Sequence, residues 1–377
     1  MLIKVVADDA QVATRLAQPS TITRASNAMN SIGSNMAGRN SVKPDDSGHR
    51  QLRIRRGTVS DTSRICALFE REYGDSSHPC LDAGYVRSAV SNKSELWFVA
   101  EEETQAAIGC MSVSYNAQNR SWEYGRAMIS RHHRHLGVLS ALMQSAIDTM
   151  PAADHDLAFA IARTDIALRA LQRHVDGVVV GHDGSPDSAH GVREHHVIAI
   201  EKFRSPRFRH GLPRSPIFRE SEVLRSAIFE PLGLSGTPEP YPDTCFWGHG
   251  DDCSDGFTFR ADERADAIYL CQHAGGPFMT ERDVAADLLR FLKRRSTTTY
   301  VGAIVLADKL TLVKAMLEAG FRITAYLPAW HWSRGARYDC LLLARRDSGF
   351  ASKNGLDEHI DMLDAAYREI GQRILSV

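Results

Sequence analysis

The sequence predicts an α/β (α+β) fold on a mixed central sheet, followed by a second, smaller α/β unit. Three observations carry that expectation. From Leu52 onward, strand-like and helix-like segments alternate in an order that mixes hairpins with strand–helix–strand crossovers. A chain of 377 residues is long for one compact core and natural for two. The strand candidate Arg120–Ile129 also runs into a basic turn, Arg134-His-Leu-Gly137. That turn opens a helix with the apolar stripe Leu139, Leu142, Met143, Ala146 and Met150.

Residues 1–50 are rich in Ser, Asn, Thr, Ala and Gly and are expected to form a disordered tail. The first unit, 51–203, begins with an alternating strand, Leu52–Val59. Ser60 or Asp61 can cap the next helix, which carries Ile65, Leu68 and Phe69 on one side. A short helix is expected around Asp82–Val90. Leu96–Ala100 reads as a buried strand, returned by the polar turn Glu101–Gln105 into Ala107–Tyr115, then by Asn116–Asn119 into Arg120–Ile129. After the basic turn and its helix come a strand Leu157–Ala162, a helix Ile166–Val175, a strand Gly177–Gly181 and a last strand Glu194–Phe203.

Residues 204–252 carry Pro206, Pro213, Pro216, Pro231, Pro238, Pro240 and Pro242 around one helix candidate near Glu220–Ile228. They read as a connection. Its arginines, Arg204, Arg207, Arg209, Arg214 and Arg219, fit a solvated linker on acidic surface better than a nucleic-acid strip, which would need interleaved aromatics. The second unit, 253–347, shows a strand Ala267–Cys271 and a Thr280-capped helix with Val284, Leu288, Leu289 and Leu292. A strand Tyr300–Ala307, a helix Lys309–Ala319 stopped by Gly320, and two closing strands follow. Residues 348–377 form an amphipathic helix, with Ile360, Leu363, Ala366, Tyr367, Ile370 and Ile374 on one face.

A formal net charge of −1 gives no general attraction to nucleic acid or anionic membrane, so neither is expected as a partner. No run of about twenty apolar residues is present to span a bilayer, and the N-terminus reads as a poor secretion signal. Seven scattered cysteines suit a reducing cytosol, so a cytoplasmic location is expected. Cys245, His249 and Cys253 have zinc-ligand types but no fourth ligand at a standard spacing. They read as loop residues, and no metal site is expected.

The turn after Ile129 carries the chemistry. A helix start has backbone N–H groups without internal partners and a positive dipole end, which can receive a phosphate. Gly137 would let that phosphate approach the backbone, and Arg134 adds positive charge. The element order, with Arg134-His-Leu-Gly137-Val-Leu139 after the fourth strand, resembles the GNAT superfamily of acyl-CoA-dependent N-acyltransferases over Leu52–Phe203. Two positions depart from the family pattern: His135 stands where Gly is usual, and Leu139 replaces the final small residue.

The resemblance implies that acetyl-CoA (coenzyme A) is the donor. Its diphosphate would meet Arg134, His135, Leu136, Gly137, Val138 and Leu139. Two splayed strands would take the pantetheine arm, with backbone near Met128 and Ile129 pairing with its amides. In the histone-type branch the catalytic Glu lies six residues before the position of Ile129 and eleven before that of Arg134, which makes Glu123 the candidate general base. Strand alternation places Tyr124 on the opposite face, so only one of the two is expected to line the cleft. The family's usual acid, a Tyr on the helix after the fifth strand, is missing. His174 or Tyr338 could serve, or the acid is absent. Trp330-His331-Trp332 with Asp339 could wall an acceptor pocket or form a structural aromatic corner.

The second unit resembles the closing half of another GNAT fold without the Arg-x-x-Gly turn, so a degenerate copy is expected. The function implied is transfer of an acetyl (acyl) group to a primary amine of a small molecule, by direct attack. The alternative is a non-catalytic coenzyme A-binding or regulatory protein of the same fold. The C-terminal helix is expected to pack on a domain or on a second subunit, which makes a homodimer a candidate.

Overall fold

The computed structural model describes residues 52–377, apart from 75–77, 103–105, 151–155, 187, 190–191, 205, 264, 275–278, 347–348 and 350. The expected tail 1–50 lies outside the described residues. The first half runs β1 (Arg53–Arg56), α1 (Thr62–Tyr73), α2 (Ala83–Ser91), β2 (Glu95–Glu101), β3 (Ala107–Asn116), β4 (Ser121–Ile129) and α3 (Val138–Thr149). It continues through β5 (Leu157–Ala162), α4 (Asp165–Val175), β6 (Val178–His182), β7 (Ser188–Ala189), β8 (Val192–Glu194) and β9 (Val197–Ile200). The middle adds β10 (Arg209–Leu212), α5 (Pro216–Arg219), α6 (Glu222–Leu224), α7 (Glu230–Leu232), β11 (Thr237–Pro238) and β12 (Phe246–Trp247). The second half holds β13 (Asp252–Ser254), β14 (Phe257–Asp262), β15 (Ala267–His273), α8 (Glu281–Arg294), β16 (Tyr300–Leu306), α9 (Leu310–Glu318), β17 (Arg322–Ser333), β18 (Ala336–Arg346), β19 (Ala351–Ser352) and α10 (Asp357–Ser376).

Local chemistry sets most of these limits. Asp82 accepts the Gly84 and Tyr85 N–H groups at the start of α2, and Thr164 accepts that of Ala167 in α4. Thr280 and Asp283 form a reciprocal capping box on α8. One expected strand does not survive. Glu194–Phe203 is divided, because the chain changes sheets at His195-His196. The His195 N–H goes to the Ser352 carbonyl, and the His196 N–H goes to Asp183.

The main sheet has the order β1-β2-β3-β4-β5-β9-β6-β17-β18-β16-β15-β14-β13. Within it, β4-β5-β9-β6 shows one parallel and then two antiparallel pairings, and β15-β16-β18-β17 repeats that pattern. The two runs meet where Gly181 pairs with Ala325. Gly181 has φ +145, and a Cβ there would lie 2.5 Å from the Ala325 Cα, so the junction requires glycine. In the first half α3 and α4 cover one face of the sheet and α1 and α2 the other, over separate apolar clusters.

Residues 204–252, read from their prolines as a connection and from their first arginines as a solvated linker, are largely packed into the fold. Ile217, Phe218, Leu224, Ile228, Leu232, Tyr241 and Phe246 are buried in the large core of the second half, and β10 pairs with β18. Pro216 occupies a first-turn helical position, where a missing N–H costs little. The prolines therefore punctuate short packed pieces. Asp339 is likewise unavailable to an amine. It is fully buried and accepts from Tyr326 Oη at 2.5 Å and the Ala329 N–H at 2.8 Å, with His210 Nε2 at 2.6 Å. Trp330 is buried against Phe159 and Trp247, so the structural-corner reading of that stretch applies.

The halves are clasped by Arg337, whose side chain is fully buried. Its guanidinium donates to the carbonyls of Ala329 and Trp330 in its own half and of Asn119 and Arg120 in the β3–β4 turn of the other. Burying a guanidinium is tolerable when most of its donors are satisfied; here backbone carbonyls take Nη1 and Nη2, and Nε alone has no hydrogen bond.

Candidate active site

β4 and β5 pair from Ser121–Leu157 to Tyr124–Ala160 and then part, while β4 continues to Ile129. The cause is a bulge. The register of β4 against β3 shifts between Cys110 and Ser112, and Arg126 takes a left-handed φ of +50. Its side chain holds the kink. Nε donates to Tyr85 Oη at 3.0 Å and Nη1 to Ser112 Oγ at 2.9 Å, and Glu95 pairs with the guanidinium at 3.0 Å.

The gap is a cavity of about 370 Å³. It crosses the sheet. Met111, Tyr124, Leu139, Met143 and Ala162 line it from the α3/α4 side; Phe69, Tyr73 and His78 line it from the α1/α2 side. Glu123 and Tyr124 therefore both line the cavity, against the expectation that alternation would admit only one. Alternation still holds, but the opening passes between the strands and is walled from both faces. Tyr124 gives its hydroxyl to Glu201 at 2.8 Å. Glu123 is partly accessible, and burial pushes its carboxyl above the ordinary value despite the opposing charge of Arg126.

The basic turn lies at the edge of this gap. Gly137 is the N-cap of α3 with φ +73, no side chain caps the helix, and a Cβ on Gly137 would meet nothing within 4 Å. The first N–H to turn back is that of Ala141, to the Gly137 carbonyl at 3.0 Å. His135 and Leu136 are exposed, Val138 is buried in the core, and Leu139 lines the cavity. Arg134 also lines it, donating from Nε to the Ile129 carbonyl at 3.3 Å and from Nη2 to Glu72 at 2.9 Å. Met128 and Ile129 complete that wall. Of the nine expected residues, Glu123, Met128, Ile129, Arg134 and Leu139 share the cavity, and the other four form its helix mouth.

Neither candidate acid reaches the cavity. His174 is absent from its wall, and Tyr338 packs edge-on against Tyr241 in the second half, with ring centroids 4.8 Å apart. The wall also holds residues outside the expected set. Arg163 donates to both oxygens of Glu194, at 2.5 and 2.9 Å, and lies 4.8 Å over the Tyr73 ring, which stacks on His78. His196 places Nδ1 3.1 Å from Asp183 Oδ2 and Nε2 3.7 Å from Glu194 Oε2. Burial opposes its charge, but Asp183 outweighs that and His196 is pushed up to about 9. Asp262, at the end of β14, brings the second half to the same cavity.

The cavity thus passes through an opened strand pair beside an uncapped helix mouth. The family model of the acetyltransferase (GNAT) family matches residues 62–173. Residues 62–173 thus form a GNAT acetyltransferase domain, and acetyl-CoA is the donor of that family. No curated protein sequence matches the chain. Among solved structures, a chimera of the Vibrio cholerae spermidine N-acetyltransferase is 19% identical, with 40% of this chain and 93% of that chain covered and a TM-score of 0.34. A putative phosphinothricin N-acetyltransferase is 20% identical, covering 41% and 100% at a TM-score of 0.35. An acetyltransferase of GNAT family from Streptococcus pneumoniae is 15% identical, covering 40% and 99% at 0.34. At those scores the likeness adds nothing to the family match. Among the described residues, no helix is long and apolar enough to cross a membrane.

Proposed function

We propose that this enzyme transfers an acetyl group from acetyl-CoA to a primary amine of a small molecule by direct attack, with Glu123 as general base. The observation that carries this reading is the place of Glu123, in the cavity wall where β4 and β5 part. The amides opening α3 at Gly137, Val138 and Leu139 would hold the diphosphate, with Arg134 beside them. Met128 and Ile129 offer backbone past the last β4–β5 pair, as an amide-bearing arm requires. The Ile129 carbonyl accepts from Arg134 and has a second lone pair for such a partner. Acetyl-CoA supplies the thioester carbonyl. Glu123 takes the proton that the amine nitrogen sheds, and its raised affinity for that proton suits the task near neutral pH.

A small acceptor is favoured because the second half bounds the cavity through Asp262. That half is read as a degenerate copy without a donor site, since β12 lies where its own strands part. The test is Glu123→Gln, assayed by thiol release with a panel of amines. A loss of about 100-fold or more in kcat is expected, with coenzyme A affinity kept. An unchanged rate across pH would remove Glu123 as the base.

A further inference from the structure

We propose that His182, Asp183 and His195 hold a divalent metal ion of the zinc type. One ligand atom from each of the three lies within 4.8 Å of the other two. The imidazoles form the core of the site: His182 Nδ1 and His195 Nδ1 stand 3.1 Å apart, with the rings at 86° to each other. At zinc–nitrogen distances of about 2.0–2.1 Å, that separation corresponds to an angle of roughly 95–102° at the ion, between the octahedral and tetrahedral values. Thirteen residues separate the two histidines, so no short ligand spacing marks the pair in the sequence.

The proton count puts a lone pair where the ion needs one. His182 Nδ1 accepts the Gly184 N–H at 3.1 Å and is therefore unprotonated. Its ring proton sits on Nε2, which faces Asp364 Oδ1 at 2.9 Å. A carboxylate on the far nitrogen of a ligand imidazole fixes the tautomer and raises the basicity of the near one, as metal sites require. Asp183 supplies charge from the other side. It is only 1% exposed, and its Oδ1 accepts the N–H groups of Ser185 and His196. Its Oδ2 accepts no hydrogen bond, although the His196 ring lies 3.1 Å away. A buried carboxylate oxygen in that state is costly, and a cation beside it removes the cost.

Ser185 Oγ, 2.8 Å from His195 Nδ1, or a water is placed to complete the coordination. Gly184 and Ser185 both take left-handed φ, +78 and +67, which folds Ser185 back onto Asp183 and His195. His195 is the half-buried ligand and gives the ion its way in. One hydrogen bond is given up on binding, that from Gly184 to His182 Nδ1. The ion would tie the end of β6, the junction between β8 and β9, and α10 together, directly behind Glu194 and His196 of the cavity wall. None of its three ligands lines the cavity, so its role is to hold that wall in place. The assignment does not depend on the transferase reading.

The test is zinc uptake by the full chain without an affinity tag. Chains are stripped with EDTA, equilibrated with zinc sulfate and desalted, and their metal content is measured. One zinc per wild-type chain and none in His195→Gln are expected. Asp364→Asn, which leaves every ligand in place, should bind zinc about 10–100-fold more weakly. Replacing Cys245 and Cys253 together by Ser should change nothing. A wild-type chain without zinc, or a His195→Gln chain that takes up as much, would overturn the proposal, as would an Asp364→Asn chain of unchanged affinity. Cobalt(II) on the wild-type chain covers the case of a misfolded His195→Gln. Its visible bands should saturate at one equivalent with no thiolate charge-transfer band, and a thiolate band would move the metal to the cysteines and sink the site.

Discussion

In the first half, β4 and β5 share four residue pairs and diverge around a cavity; in the second, β15 and β16 share four pairs and diverge around β12. Phe246 and Trp247 pair with Val305 and Ile304, continuing the edge of β16 that β15 has left. The Leu306 N–H donates to the Cys245 carbonyl at 3.0 Å, and Gln272 Nε2 donates to the Gly248 carbonyl at 3.2 Å. Parted strands expose backbone groups that need partners. The second half supplies them from its own chain. The first leaves the edge of Ile161 and Ala162 facing a cavity, where a ligand with amides of its own can complete the pairing. One topology thus yields a filled gap and an open one, and the difference lies in a segment from outside the repeat.

The comparison can be broken or sharpened in order of expected effect. Removing the plug with Phe246→Ala should cost about 3–5 kcal/mol in urea unfolding, because the ring is buried in the large core. Wild-type chains should take up one coenzyme A each by native mass spectrometry, and a second would break the contrast. Cutting the clasp with Arg337→Ala should cost about 2–4 kcal/mol, since four carbonyls lose their donor. Its thermal unfolding should show whether the halves then melt apart.

Filling the open gap with Ala160→Phe should weaken coenzyme A binding about 100-fold, removing roughly 2.7 kcal/mol of ligand stabilisation in a thermal shift. Unchanged binding would place the donor elsewhere.

The smallest effect is acid sensitivity. Burial favours the neutral form of Glu194, but His196 and Arg163 outweigh it and hold the carboxyl down to about 2. A depressed carboxylate contributes stability above its unfolded value, and that contribution is lost as pH falls from about 4.5 through 2. Urea midpoints measured across that window should fall less in Glu194→Gln than in wild type.

Elements governed by neighbours in sequence were legible. The α8 capping box, the α3 stripe and the glycine opening α3 depend on spacings of a few residues, and they lie where the sequence placed them. The expected run of strands and helices in the second half is likewise present, with β17 and β18 longer than predicted because they pair as a hairpin. The cavity wall beyond Glu123 was not legible. Tyr73, Arg163 and the pair Glu194 and His196 come from three separate stretches of the chain, and the apolar residues that follow Glu194-His195-His196 make those three read as strand. Two histidines behind a glutamate, at the head of an apolar run, were the one local signal available there.

By itself, the sequence determined the order of elements, the open mouth of α3 and a carboxyl on the strand that leads to it, because periodicity, caps and glycine act over one or two turns. Only the tertiary structure decided which strand pair stays open, which groups face the gap, and that the proline-rich stretch is core. Those outcomes depend on contacts between residues as far apart as Asn119 and Arg337, whose side chain reaches the Asn119 carbonyl at 2.7 Å. Burial and hydrogen-bond satisfaction are settled only when distant segments compete for the same space.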